Sequence, residues 1–220
     1  MRKYEDTYLH KGLRKQLIDT LRYERKITDE AVLHAMNHVP RHFFLDSAFD
    51  RIAYEDRAFP IGEGQTISQP YTVAYQSQLL QVKKTDTILE IGTGSIYQAS
   101  VLAEMGADIF TIERQKKLFE AQKDFPLKDK YPNIHFFYGD GYQGLHDYAP
   151  FDKILITAAA PYIPEKLMAQ LKIGGKMVIP VQNIDDVQTM MRITKNDDGT
   201  WEEEVFDNFS FVPMLGGESK

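Results

Sequence analysis

Within ILEIGTGSIYQAS, residues 88–100, an apolar run ends in an acid and passes into two glycines at alternate positions. A strand, a glycine-rich turn and a helix form a cradle. The glycines let a ligand approach the backbone closely, and the start of the helix presents free N–H groups. The dinucleotide fingerprint G-x-G-x-x-G is not met, because GTGSIY ends in Tyr97. Glu90 ends the strand just before the turn, where an acid opposes a pyrophosphate and suits an amino group or a sulfonium. Glu113 follows the second strand, where a carboxylate can accept both hydroxyls of a ribose. Asp140, in the GDG of 139–141, follows the third and can accept from an exocyclic adenine amine. In this order the acids describe an adenosine with an aminoacyl tail and no phosphate. S-adenosylmethionine fits that description.

These residues need elements to hold them. Leu9, Leu13, Leu17, Ile18 and Leu21 recur at helical spacing. Thr28 then reads as the N-cap of a short helix carrying Val32, Leu33 and Met36, which Pro40 closes. Residues 43–69 read as irregular, and Pro70 as the first residue of another helix, with Val73, Ala74 and Leu80 inward. Apolar runs without polar alternation follow at 87–91, 108–112, 134–138, 153–157 and 176–181, as expected of strands covered on both faces. Helices fall between them at about 96–105, 115–124 and 164–171, with Gly106 and Gly174 where helices should stop. VQTMMRIT, NDDG and TWEEEVFD then read as strand, turn and strand, an antiparallel hairpin added to a parallel sheet.

The chain has 220 residues, enough for one sizeable α/β domain. No apolar run is long enough to cross a membrane, and the first residues lack a signal-peptide core, so no membrane partner and a cytoplasmic location are expected. The absence of cysteine removes disulfides, thiolate nucleophiles and cysteine metal sites together. A net charge of −6 argues against nucleic acid as a partner, and the short basic runs near the start read as solvated helix surface.

The chain resembles the protein-L-isoaspartate O-methyltransferases from VPRHFF at residue 39 to FVPMLGG near the end, through GQTISQPY, LEIGTGS, GDGYQG, FDKILITAAAP and LKIGGKMVIPV. GQTISQPY, LKIGGKMVIPV and FVPMLGG are not generic to methyltransferases, so the resemblance extends to the substrate. It implies a Rossmann-like class I SAM-dependent methyltransferase. Its α/β fold has a mostly parallel seven-stranded sheet with helices on both faces, an N-terminal helical extension and a C-terminal antiparallel hairpin. One domain spans 1–220: a helical and substrate-loop region at 1–81, the cofactor core at 82–182, and the hairpin with a substrate segment at 183–220. The implied reaction methylates the α-carboxylate of L-isoaspartyl residues in damaged proteins and peptides, acting as a monomer. The ester then closes unaided to a succinimide that partly reopens to aspartate. The expected cofactor set is Glu90, Gly92, Thr93, Gly94, Ser95, Gln98, Glu113, Arg114, Asp140, Gly141 and Thr157, with no metal. For the substrate it is Thr66, Ile67, Ser68, Pro70, Ala158, Ala159, Val212 and Pro213.

Ser68 matches the serine given the active-site role in that family, and reads as a hydroxyl donor that orients the carboxylate. On sequence alone a cap for the helix at Pro70 is a competing reading, and the two roles can coexist at a helix N-terminus. Where the family's pattern is GTGSGYQ, this chain has Ile96. At a helix start an ordinary φ is expected there, with weakened cofactor binding. His34, His38 and His42 are spaced by four, but Pro40 interrupts their helix, so surface or helix-end histidines are expected. Two other functions stay open: a methyltransferase with a different acceptor, and a SAM-binding protein that has lost turnover.

Overall fold

The computed structural model describes residues 4–219; residues 1–3 and 220, the ends of the expected domain, lie outside the described residues. Two helices begin it, α1 (Tyr8–Tyr23) and α2 (Glu30–His38). The cap of α2 is Asp29 rather than Thr28: its Oδ1 accepts from the N–H of Ala31 at 2.9 Å and of Val32 at 3.2 Å. A carboxylate suits the positive end of a helix. Thr28 is engaged elsewhere, with its N–H donating to Gln78 Oε1 at 2.8 Å. The stretch expected to be irregular contains two 3₁₀ turns (Arg41–Phe44 and Ser47–Phe49) and a small antiparallel hairpin, β1 (Phe59–Gly62) and β2 (Gln65–Ile67). After it α3 (Pro70–Leu80) begins with proline at its first position.

Strands and helices then alternate: β3 (Thr87–Ile91), α4 (Tyr97–Glu104), β4 (Asp108–Glu113), α5 (Lys116–Ala121), β5 (Ile134–Tyr138), β6 (Phe151–Ile156), α6 (Glu165–Ala169) and β7 (Leu171–Gln182). The hairpin β8 (Gln188–Lys195) and β9 (Trp201–Phe209) ends the sheet. The order across the seven-stranded sheet is β5-β4-β3-β6-β7-β8-β9, parallel up to β7 and antiparallel beyond it. From β3 the chain goes to β4 on one side, and β6 lies on the other. Such a switch point opens a crevice at the carboxyl ends of the strands. Gly106, at φ +94°, stops α4 as expected. Gly174 does not end a helix. It lies inside β7, where the pairing with β6 shifts register, and at φ +72° it absorbs the irregularity.

The central strands feed two cores. Ile88, Ile109, Leu155 and Val178 face the layer of α1 to α4, whereas Leu89, Ile154, Met177 and Ile179 face α6. The N-terminal extension is tied to the site by Arg41, which is fully buried beneath the loop before β1. Its Nε donates to Ala53 O at 3.0 Å and its Nη2 to Arg57 O at 3.4 Å, and its guanidinium lies 4.9 Å from the Tyr97 ring centroid. Burial pulls its pKa down to about 10. These bonds fix the loop that carries Asp56.

Two of the spaced histidines behave as expected: His34 and His38 stack on the outer face of α2, with ring centroids 4.1 Å apart. His42 departs from expectation. It is buried, stacks on His10 at 3.7 Å and bonds Tyr54 Oη at 2.8 Å, and burial lowers its pKa to about 4. Asp6 completes a ligand-like trio with these two rings, but Arg14 holds both of its oxygens, at 3.0 and 2.8 Å. A guanidinium there opposes a cation, so the cluster is packing.

Candidate functional site

β3 ends at Ile91, and the chain turns through Gly92 at φ +98° and Gly94 at φ +48°. A Cβ on Gly92 would lie 2.6 Å from Thr157 Oγ1, so side-chain-free backbone is needed where β3 meets β6. That hydroxyl lies 2.9 Å from both Ile91 O and Gly92 O, and stitches the two strand ends together. Several N–H groups of the turn itself are already taken within the protein. Gly92 and Thr93 donate to Ile112 O, Gly94 donates to Glu113 Oε2, and Ile96 donates to Thr93 O. A turn with four of its donors directed inward in this way is a poor phosphate nest.

Ile96 is the N-cap of α4, and its φ is +71°, not the ordinary value expected. Left-handed backbone costs a β-branched residue about 1–2 kcal/mol. It persists because the side chain is buried in the core beneath the helices. Removing a buried isoleucine costs about 2–5 kcal/mol, so cavity outweighs relief. Ile96→Gly is therefore expected to lower stability by about 1–3 kcal/mol in urea unfolding. Ile96 is absent from the cleft wall, which Ser95 and Tyr97 flank, so cofactor affinity should change little.

The three acids take different positions. Glu113 lines the cleft; its Oε2 accepts from Gly94 N–H at 2.9 Å and its Oε1 from Gln115 N–H at 2.8 Å. Each oxygen keeps a lone pair for a hydroxyl. Asp140 is half-buried, with Oδ1 accepting from Tyr142 N–H at 2.9 Å, and within 139–141 it is Gly141 that lines the wall. Glu90 does not reach the cleft at all. It is fully buried under the turn, accepts from Thr111 Oγ1 at 2.6 Å, and connects through the 2.7 Å Thr111–Thr93 contact to a residue that does line it. Strand parity explains this, since Glu90 shares a face with Ile88.

Burial raises the pKa of Glu90 to about 8, and its Oε1 has no partner among the described residues. A carboxyl raised on folding binds more protons in the native state, so its stabilising share is full below the unfolded pKa near 4.5. It is lost as pH climbs through about 8. Stability should accordingly fall between those values, by a few kcal/mol at most. Glu90→Gln should flatten the profile, as urea midpoints measured across that pH range would show.

The opposite wall comes from β2, α3 and the C-terminal segment. Thr66, Ile67 and Ser68 line it, as do Ala158, Val212 and Pro213. The helix N-cap is Gln69, without a side-chain bond, so Ser68 is not the cap. Asp56 serves α3 instead, its Oδ1 accepting from Tyr71 N–H at 2.8 Å. Ser68 is half-buried, and its hydroxyl has no hydrogen bond among the described residues. Pro70 and Ala159 stand off the wall. Pro70 starts α3, and Ala159 anchors the C-terminal segment by accepting from Met214 N–H at 2.7 Å and donating to Val212 O at 2.9 Å. Thr93, Gly94, Ser95, Gln98, Arg114 and Thr157 all reach the wall.

The cleft measures about 620 Å³, the size of a small-molecule site. The sequence reading did not name Arg25, Tyr71 or residues 208–210, which also line it. The residues present fit an adenosyl ligand. Gly141 lines the cleft where it packs against Ile91, whose Cγ2 a Cβ there would strike, and Glu113 offers hydroxyl acceptors.

Comparison with known proteins agrees. Residues 12–219 match the family model "Protein-L-isoaspartate(D-aspartate) O-methyltransferase (PCMT)". A protein-L-isoaspartate O-methyltransferase of Flavobacterium johnsoniae is 54% identical over 96% of this chain and 98% of its own. One from Cytophaga hutchinsonii is 54% identical over 96% and 95%. A crystal structure of a putative Plasmodium falciparum enzyme of this name, in complex with S-adenosyl-L-homocysteine, aligns with TM-score 0.79 at 26% identity, over 92% of this chain and 98% of that one. With matches of this extent, the chain belongs to the protein-L-isoaspartate(D-aspartate) O-methyltransferase family.

Proposed function

We propose that this chain transfers a methyl group from S-adenosylmethionine to the α-carboxylate of L-isoaspartyl residues in damaged proteins and peptides. The observation that carries the reading is Ser68, a hydroxyl without a partner among the described residues, on the cleft wall opposite the glycine turn. When bound, the cofactor supplies an electrophilic methyl on a sulfonium. Gly92, Gly94 and Gly141 would admit it, Glu113 would accept its hydroxyls, and Thr93, Ser95, Gln98, Arg114 and Thr157 would line its site.

The acceptor needs no base, because a carboxylate with a reference pKa near about 4 is already ionised. What remains is alignment, and positioning alone supplies much of a displacement rate. Ser68 Oγ–H donates to one carboxylate oxygen, leaving the other to attack. Thr66, Ile67, Ala158, Val212 and Pro213 hold the flanking polypeptide, and Pro70 and Ala159 support them from behind. Glu90 and Asp140 position the turn and the 139–141 segment. The methyl ester leaves the site, the next backbone nitrogen displaces methanol, and the succinimide opens to aspartate or isoaspartate.

The test is conversion rather than labelling. An L-isoaspartyl peptide incubated with enzyme and cofactor should pass through succinimide to the aspartyl peptide, resolved by chromatography. An isoaspartyl peptide that persists unchanged would overturn the reading.

A further inference from the structure

We propose a carboxylate-binding subsite at the mouth of the cleft, in which Arg25 takes an acidic side chain of the substrate polypeptide close to the isoaspartyl residue. This rests on the isoaspartyl reading above.

The charged side chains on the wall are Arg25, Glu113 and Arg114. Glu113 ends β4 and Arg114 follows it, where Arg114 donates to Gly217 O at 3.0 Å and Gly216 O at 3.4 Å. Arg25 lies just beyond α1 and shares the mouth with Tyr71 and Phe209. Its guanidinium is 5.1 Å from the Tyr71 ring centroid, and Tyr71 in turn stacks on Phe209 at 5.8 Å. The mouth is thus a cation and two rings in a row, drawn from three distant parts of the chain.

Arg25 is held rather than loose. Its Nε and Nη2 both reach Asp56 Oδ2, at 2.9 and 2.8 Å, while Asp56 Oδ1 serves the N-terminus of α3. The negative charge of Asp56 is therefore shared between a helix N-terminus and the guanidinium. Nη1 has no acceptor among the described residues, and the side chain is 45% exposed. Asp207, near the same rim, is engaged by Tyr75 Oη at 3.1 Å. A planar guanidinium, stacked on one ring and fixed along one edge, offers its other edge in a set direction. Carboxylate is the anion a peptide can supply there.

The test uses isoaspartyl peptides in which one Glu is moved through the flanking positions, each compared with its Gln twin. At the best position and low salt, the Glu peptide should show a KM about three- to tenfold lower at equal kcat, with the advantage shrinking as salt rises. In Arg25→Gln the difference between twins should vanish, and Arg25→Lys should restore part of it. Equal KM values for all twins in the wild-type enzyme would overturn the subsite without touching the methylation of the neutral peptides. So would an Arg25→Gln loss that affects both twins alike, since that marks Arg25 as a structural partner of Asp56. Absence of methylation on every isoaspartyl peptide would instead overturn the functional reading, and the subsite with it.

Discussion

Ser68→Ala is expected to lower kcat/KM for an isoaspartyl peptide by about ten- to a hundredfold while leaving the fold intact. A hydrogen bond to a charged group is worth about 1.5–3 kcal/mol, and each 1.4 kcal/mol is a factor of ten. Two observations separate this from a structural effect. The helix cap is Gln69, so no cap is lost, and the Ser68 hydroxyl bonds nothing else among the described residues. Urea unfolding of the variant should thus stay within about 0.5 kcal/mol of wild type. A loss confined to stability, with kinetics unchanged, would show that Ser68 does not touch the acceptor.

Gly92→Ala should do more damage, and in a different place. At φ +98° a side chain is strained wherever it points, and this one points at Thr157 Oγ1, 2.6 Å away. Easing that contact pushes apart β3 and β6, whose ends Thr157 stitches together. We expect a stability loss of about 2–4 kcal/mol and a fall of at least about a hundredfold in cofactor affinity by calorimetry. Adding Thr157→Ala to Gly92→Ala should recover the steric part only, because the backbone strain remains. Full recovery would mean that the glycine serves space alone.

The glycine turn was legible because a glycine at a forced φ leaves its mark in the residue type, as at Gly92 and Gly94. The alternation of buried strands and helices was legible for the same local reason, and the hairpin at the end followed from its turn residues. Ile96 was not. Its left-handed φ runs against its own preference and is held by burial, a tertiary cause that no local pattern carries. Glu90 was placed on the correct strand but the wrong side of the problem; counting parity from Ile88 would have put it beneath the turn. Ser68 remained divided between donor and cap until Gln69 and Asp56 were seen to serve α3. Gly174 imitated a helix stop and proved to be a bulge in β7. The mouth was least legible, because Arg25, Tyr71 and Phe209 meet only through the fold.

One measurement bears most directly on the account: transfer of labelled methyl from S-adenosylmethionine to paired peptides that differ only in one L-isoaspartyl or L-aspartyl linkage. Base-labile label on the isoaspartyl peptide alone is the predicted result, since a cleft that aligns rather than activates its acceptor must tell the two carboxylates apart by position. Equal label on both peptides, or none on either, would contradict it.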